Sequence, residues 1–209
     1  MRISEEEKNR IKGRIVDAAE TLIARNGLSG ISLREIAAGS QIVTGQLYNH
    51  YKGGLDEVVL LVNSRTIKML DKALAKAAKS AEGEPVAVLF NKLALAYLHF
   101  AIKHEKRFAA LFEHQMANDA PIPQWHLEEH YALFRHVERP LSTIETKMSD
   151  EERRVLARSI YSTVYGIVHL GRQGRLIALP VHVLEQQLGV ITQVLADGLF
   201  AFASKPQIG

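Results

Sequence analysis

The stretch Ile31-Ser32-Leu33-Arg34-Glu35-Ile36-Ala37, followed by Thr44-Gly45-Gln46-Leu47-Tyr48-Asn49-His50-Tyr51-Lys52, decides how the chain is read. Ser32 and Glu35 have the S-x-x-E spacing of a capping box, in which the serine oxygen accepts the backbone N–H three residues on. This predicts a short helix over 33–39, a tight connection through Gly39-Ser40-Gln41-Ile42-Val43, and a second short helix over 44–50. Two short crossed helices need small residues where they touch and a few apolar anchors. Ile36, Ala37, Ile42, Leu47 and Tyr51 supply these. Thr44, Gln46, Tyr48, Asn49 and His50 are hydrogen-bonding side chains gathered mostly on one outer surface, on a helix too short and too polar for packing alone. Donors and acceptors so displayed suit base edges and phosphates in a major groove. The helix end at Ser32 adds free N–H groups that suit a phosphate oxygen.

Working outward, Ser4 and Glu7 form another capping box, followed by Ile11, Ile15, Ala18, Ala19, Leu22 and Ile23 at helical spacing up to Asn26-Gly27. Glycine there suits a left-handed helix end. Beyond the second short helix, Lys52-Gly53-Gly54 breaks the chain. A long helix resumes near Leu55, with Val59, Val62, Thr66, Met69 and Ala73 on one side. Pro85 opens a helix over 86–101 whose apolar stripe (Leu89, Phe90, Leu93, Ala94, Tyr97, Phe100) is too wide for burial on one side only. Further helices are expected over 106–118 and 125–148, the latter kinked or broken near Pro140. A third capping box, Ser149 and Glu152, opens a helix running to Arg175. After Leu179-Pro180 the last helix carries Val181, Leu184, Leu188, Ile191, Leu195, Gly198 and Phe202 at alternating intervals of three and four. No segment alternates convincingly enough to be a strand. The expectation is an all-α chain of about nine helices: an N-terminal three-helix helix-turn-helix domain over 1–54, then an antiparallel helical ligand-binding and dimerisation domain over 55–209.

Composition sets outer limits. The 209 residues are 47% hydrophobic and 23% charged, ordinary for a globular chain. No apolar run approaches the ~18 residues of a membrane span, and the start is no signal peptide, so a cytoplasmic protein with no membrane partner is expected. The absence of cysteine excludes disulfides, thiolate metal sites and thiol catalysis. A net charge of +3 is too small to argue for nucleic acid by itself. Between positions 8 and 54, seven basic residues face three acidic ones, but widening the window to 1–60 brings the balance to neutrality.

The segment from Ser32 to Tyr51 resembles the DNA-binding domain of the tetracycline-repressor family, whose pattern reads roughly T-x-x-x-I-A-x-x-A-G-V-S-x-G-x-L-Y-x-H/Y-F-x-S-K-E-x-L. Ser32, Ile36, Ala37, Gly45, Leu47, Tyr48, His50 and Tyr51 match it in kind, order and register. The resemblance implies that Ser32, Tyr48 and His50 touch phosphates and that Thr44 and Gln46 face bases. The candidate DNA-binding set is Ser32, Arg34, Thr44, Gly45, Gln46, Tyr48, Asn49, His50 and Lys52. Two departures stand out. Ser40-Gln41-Ile42-Val43 replaces Ala-Gly-Val-Ser, implying either a positive φ at Gln41 or a rearranged turn. Gly54 replaces a lysine, which removes one phosphate contact and leaves Lys52 and backbone N–H groups to compensate. Asn49 and Gln41 join the candidates for readout. Further on, Tyr97-Leu98-His99-Phe100-Ala101, Arg107-Phe108-Ala109-Ala110-Leu111-Phe112 and Tyr165-Gly166-Ile167-Val168-His169-Leu170 look like the ligand-binding domain of one subgroup. Tyr161 and Tyr165 stand where that subgroup often has tryptophan and histidine.

An aromatic and methionine set exceeds what a compact bundle needs, and an apolar pocket with a few polar tips is the usual small-molecule site. The candidate ligand-binding residues are Tyr97, Phe100, Phe112, Met116, Trp125, Tyr131, Phe134, Tyr161, Tyr165 and His169, with the last three giving polar tips at intervals of four. The seam of the last helix, with Val190 and Val194 beside it, predicts a homodimer through the last two helices. The expected partners are operator DNA and an apolar or amphipathic effector. No cofactor, resident metal or catalytic residue is expected. Two rivals come from the residues: His126, Glu129 and His130 spell H-x-x-E-H, a zinc-hydrolase or metal-sensor spacing. The Gln41, Val43 and Gly54 departures would also suit a helical ligand-binding protein that has lost DNA binding.

Overall fold

A computed structural model describes residues 4–143, 148–172 and 179–203. Among them the chain is all-helical, with ten α-helices and two single-turn 3-10 helices. The helices are α1 (Glu5–Asn26), α2 (Leu33–Ser40), α3 (Thr44–His50), α4 (Gly54–Ser80), α5 (Val86–Lys103), α6 (Glu105–Glu113), α7 (Gln124–Ala132), α8 (Arg135–Thr143), α9 (Asp150–Arg172) and α10 (Val181–Ala203). They fall into two compact units, one of residues 1–69 with 101–129 and one of residues 70–100 with 130–209.

In the first unit local signals and burial agree. The Ser4 side chain accepts the Glu7 N–H, and Gly27 at φ 76° closes α1. Ile11, Ile15, Val16, Ala19 and Ile23 of α1 share a core with Ile36 of α2, Leu47 of α3 and Val58, Val59 and Val62 of α4. Tyr51, just past α3, is buried in the same core and donates its hydroxyl to the Lys12 carbonyl at 3.0 Å. Ala110 of α6 joins this core, and the Asn63 amide donates to its carbonyl at 3.0 Å. Arg107 and Arg65 both reach Glu20, at 2.6 and 2.5 Å, tying α6 and α4 to α1.

The second unit packs Leu70 and Leu74 of α4 with Phe90, Leu93, Tyr97 and Leu98 of α5, Val137 and Leu141 of α8, and buried positions of α9 and α10. The third capping box is formed, with Ser149 Oγ accepting the Glu152 N–H and the Glu152 carboxylate accepting the Ser149 N–H. Close approach of α9 to α10 requires Gly171, where a Cβ would fall 2.3 Å from a Leu184 methyl.

Three expectations change. The helix expected over 106–118 ends at Glu113, and residues 114–116 leave it in extended conformations at His114 and Met116. Asp56 draws that segment away from the helix axis, accepting the Ala117 N–H at 2.8 Å and facing His114 at 3.3 Å. The helix expected over 125–148 is two helices, which raises the count from about nine to ten among the described residues. Its break falls at Leu133-Phe134, where both N–H groups bond carbonyls three residues back in a tight closing turn. Pro140 sits inside α8, which continues past it to Thr143. Third, α5 is by length and composition apolar enough to cross a membrane, although Asn91, Lys92 and His99 interrupt the run; Phe90, Leu93, Ala94, Tyr97 and Leu98 are buried in the second unit. The extension of the Ser149 helix to Arg175 lies outside the described residues.

Candidate functional site

The short helix α3 is held from beneath and open above. Leu47 is fully buried and Tyr51 nearly so, while Thr44, Gly45, Gln46, Tyr48 and Asn49 are exposed and His50 is half-buried. Arg34 and Lys52 are also exposed. Nine residues proposed from sequence therefore stand on or beside one two-helix element. Ser32 is committed to its own helix: its oxygen accepts the Glu35 N–H at 3.2 Å and its hydroxyl donates to the Glu35 carboxylate at 2.9 Å.

The turn between α2 and α3 takes the first of the two forms open to it. Gln41 adopts the left-handed conformation, φ 58° and ψ 44°. The Ile42 N–H bonds the Ala37 carbonyl at 3.0 Å and the Gln41 N–H the Ala38 carbonyl at 3.2 Å. This is a Schellman closure with glutamine in the position that favours glycine. Gly54 too has a positive φ, 62°, and a Cβ there would stand 3.1 Å from Cε1 of Tyr48. The bare glycine backbone is thus the surface on which the Tyr48 ring rests. The Gly53 N–H is taken by the Glu57 carboxylate at 2.9 Å, so that backbone donor is already engaged. Tyr51, pushed up to about 12 by burial and by nearby Glu57, stays a neutral hydroxyl donor at physiological pH.

The second unit holds an apolar cavity of about 40 Å³ lined by Leu74, Phe90, Leu93, Leu133, Val137 and Ile160, together with Tyr97, Tyr161, His136 and others. Its polar features are few. The Tyr97 and Tyr161 hydroxyls meet at 3.2 Å and their rings pack edge to face. Burial pushes Tyr161 up to about 12, and burial with the adjoining Tyr161 raises Tyr97 well above the ordinary phenol range. His136 bonds Asp71 through Nε2 at 2.7 Å, and it also lines an open groove of about 920 Å³ with Lys79, Arg135 and Arg139.

The structure does not bring the ten candidate ligand residues together. Tyr97 and Tyr161 line the cavity. Phe134 packs its ring on Tyr161 at 5.0 Å, and exposed Tyr131 lies against Phe134 with the Arg158 guanidinium 5.6 Å from its ring. Phe100 is buried, and Tyr165 and His169 stack on each other along α9 at 5.0 Å. Phe112, Met116 and Trp125 belong to the other unit, where Phe112 packs on Phe108 and exposed Trp125 on His126. Sequence reasoning favoured aromatics and passed over the aliphatic wall. Its signal was the spacing of Leu133 and Val137, and of Ile160 and Val164, four apart on their helices.

The H-x-x-E-H stretch is occupied with internal contacts. His126 is buried, its Nδ1 3.7 Å from the Glu129 carboxylate, which takes the Ser64 hydroxyl and lies 3.3 Å from Lys68. Among the described residues no group of three or more histidines and carboxylates is placed to hold a metal ion.

Comparison with known proteins gives three results. Residues 90–193 match the family described as tetracyclin repressor-like, C-terminal domain. Among solved structures, a protein with unknown function from Rhodococcus sp. RHA1 superposes with a TM-score of 0.70 at 21% identity, over 90% of this chain and 94% of that one. RolR, in complex with resorcinol, gives 0.66 at 16% identity over 99% of both chains. A TetR-family transcriptional regulator from Streptomyces coelicolor gives 0.61 at 18% identity over 100% of this chain and 93% of that one. At these identities the likeness to solved structures concerns the fold. No curated protein matches the chain.

Proposed function

Because the chain belongs to the tetracycline-repressor-like family, we propose that it is a dimeric transcriptional repressor that holds operator DNA with α3 and releases it when a small apolar or amphipathic molecule binds. The observation that carries this reading is the exposed polar surface of α3, on a seven-residue helix anchored by buried Leu47 and the adjoining Tyr51. In the proposed interface Tyr48, His50 and Lys52 meet phosphates while Thr44, Gln46 and Asn49 face base edges. Residues 1–54 serve DNA, and residues 55–209 serve ligand and dimerisation. This is binding work in the cytoplasm, with no catalytic step assigned.

The effector site in this reading is the cavity edged by Tyr97 and Tyr161. At about 40 Å³ it is far below the ~300 Å³ of a small-molecule pocket, so the effector must select a wider form. Resorcinol, the molecule bound to RolR, is of a kind that two tyrosine hydroxyls in an aliphatic wall would suit. A dimer must set its two recognition helices about 34 Å apart to enter successive major grooves. A ligand that prefers another spacing by ~1–3 kcal/mol weakens DNA binding about 5- to 150-fold. Helix α4, which supplies residues to both units, is the proposed carrier of that change.

The test is a salt series of binding to DNA flanking the protein's own coding region. Tight binding with a steep negative salt slope, lost in Tyr48→Ala, and relaxed sequence preference in Gln46→Ala are the expected outcomes. Absence of sequence-specific binding at low salt would overturn the reading.

A further inference from the structure

The turn that enters α3 breaks two local rules at residues whose side chains both face solvent. Gln41 occupies a left-handed helix end, and Val43 is the N-cap of α3. Valine is among the poorest N-caps, because it has no oxygen to accept a free N–H of the first turn. No side chain caps α3. Val43 is also 69% exposed, so its methyl groups gain little from the core that Ile42, its neighbour, helps to build. An exposed valine is ordinary in itself, but one that also leaves a helix start uncapped is the kind of broken local rule that functional sites carry. It stands at the N-terminal end of the helix, next to exposed Thr44 and one turn from Gln46.

We infer that Val43 is a base-reading residue, its methyl groups packing against the 5-methyl of a thymine in the major groove at the edge of the contacted half-site. This rests on the proposed DNA binding by α3 and names one base that it selects. The thymine methyl is the apolar feature of base-pair edges in that groove, and an aliphatic side chain is its natural partner. Thr44 and Gln46 supply hydrogen bonds; Val43 adds a contact to the thymine methyl group, the one feature of that base edge that no hydrogen bond reads.

The experiment uses the full chain and a random-sequence duplex pool to recover a preferred site. That site is then resynthesised with deoxyuridine replacing one thymine, and its symmetry mate, at a time. One such pair is expected to weaken wild-type binding about 4-fold per half-site, the effect of losing one buried methyl. In Val43→Ser, which can cap the helix and keep it folded, the same replacement should leave affinity unchanged, with the salt slope as in wild type. If wild type enriches a site but every thymine is replaceable without loss, or if Val43→Ser responds to each replacement as wild type does, the inference is overturned while DNA binding stands. If no sequence is enriched, both the inference and the proposed function fall.

Discussion

Gly54 combines a φ of 62° with a Tyr48 ring that leaves 3.1 Å for a Cβ. The family pattern has lysine at this position, and the sequence alone suggests only that a phosphate contact is missing. The backbone explains why the lysine cannot simply be restored. A side chain there meets a conformation that L-residues rarely adopt and displaces the ring of a residue assigned to phosphate contact. Gly54→Lys should therefore lower stability by about 1–2 kcal/mol and leave DNA affinity no better than wild type. A shift of the denaturation midpoint, followed at constant slope, measures the first effect. An unchanged midpoint with tighter DNA binding would show that α4 can begin differently. At position 41 the sequence left two backbone outcomes open. What decided between them was the pair of Schellman hydrogen bonds, a feature of the backbone that residue identity does not carry.

At the scale of elements, the legible boundaries were those written in caps. Ser4, Ser32 and Ser149 each accept the N–H three residues on, and α1, α2 and α9 begin after them. Boundaries set by tertiary contact were not legible. Helix α6 stops at Glu113 because Asp56, far away in sequence, takes the Ala117 N–H, and the 133–134 break ignores the proline that local chemistry would have chosen. The region around α6 carries a pH prediction. His104 is the N-cap of α6, His114 follows its last residue, and His126 lies in α7. All three are lowered from the ordinary histidine value, each chiefly by burial. A protonated His104 would also stand near Arg107 and Lys103, at the positive end of its helix. Depressed values mean that the fold prefers neutral imidazole. The stability is full above about pH 6.5 and is lost as pH falls through the depressed values. Thermal midpoints should decline between pH 7 and pH 5, and less steeply in His114→Gln, which keeps a polar group beside Asp56. Parallel curves for variant and wild type would remove His114 from this account.

At the scale of the whole molecule, the all-helical class was legible in spacing alone, whereas the division of the apolar surface was not. The last helix reads as a seam from Val181 to Phe202 with Val190 and Val194 beside it; Leu184 and Leu188 of the seam are buried within the protomer, while Val190 and Val194 are 67% and 58% exposed. Periodicity counts apolar positions without saying which neighbour covers them. Single exposed valines are unremarkable. Val190, however, lines a shallow groove of about 480 Å³ along α9 and α10 together with Ile191, Ile167 and Thr163, and Val194 follows it four residues on along α10. In the proposed dimer this groove is filled by the same surface of a second copy, as two-fold symmetry requires. Charge placed there has a defined consequence. Val190→Glu with Val194→Glu puts like charges opposite one another in an apolar interface, yet neither position contributes to the buried core of the protomer. The double variant should remain helical and sediment as a monomer at micromolar concentration. Its binding to a two-half-site operator should fall to the weak level of a single half-site, because one recognition helix no longer brings the other with it. A dimer that survives the double substitution would place the interface elsewhere. A monomer that still binds the full operator as tightly as wild type would show that DNA binding does not depend on pairing through the α9–α10 surface.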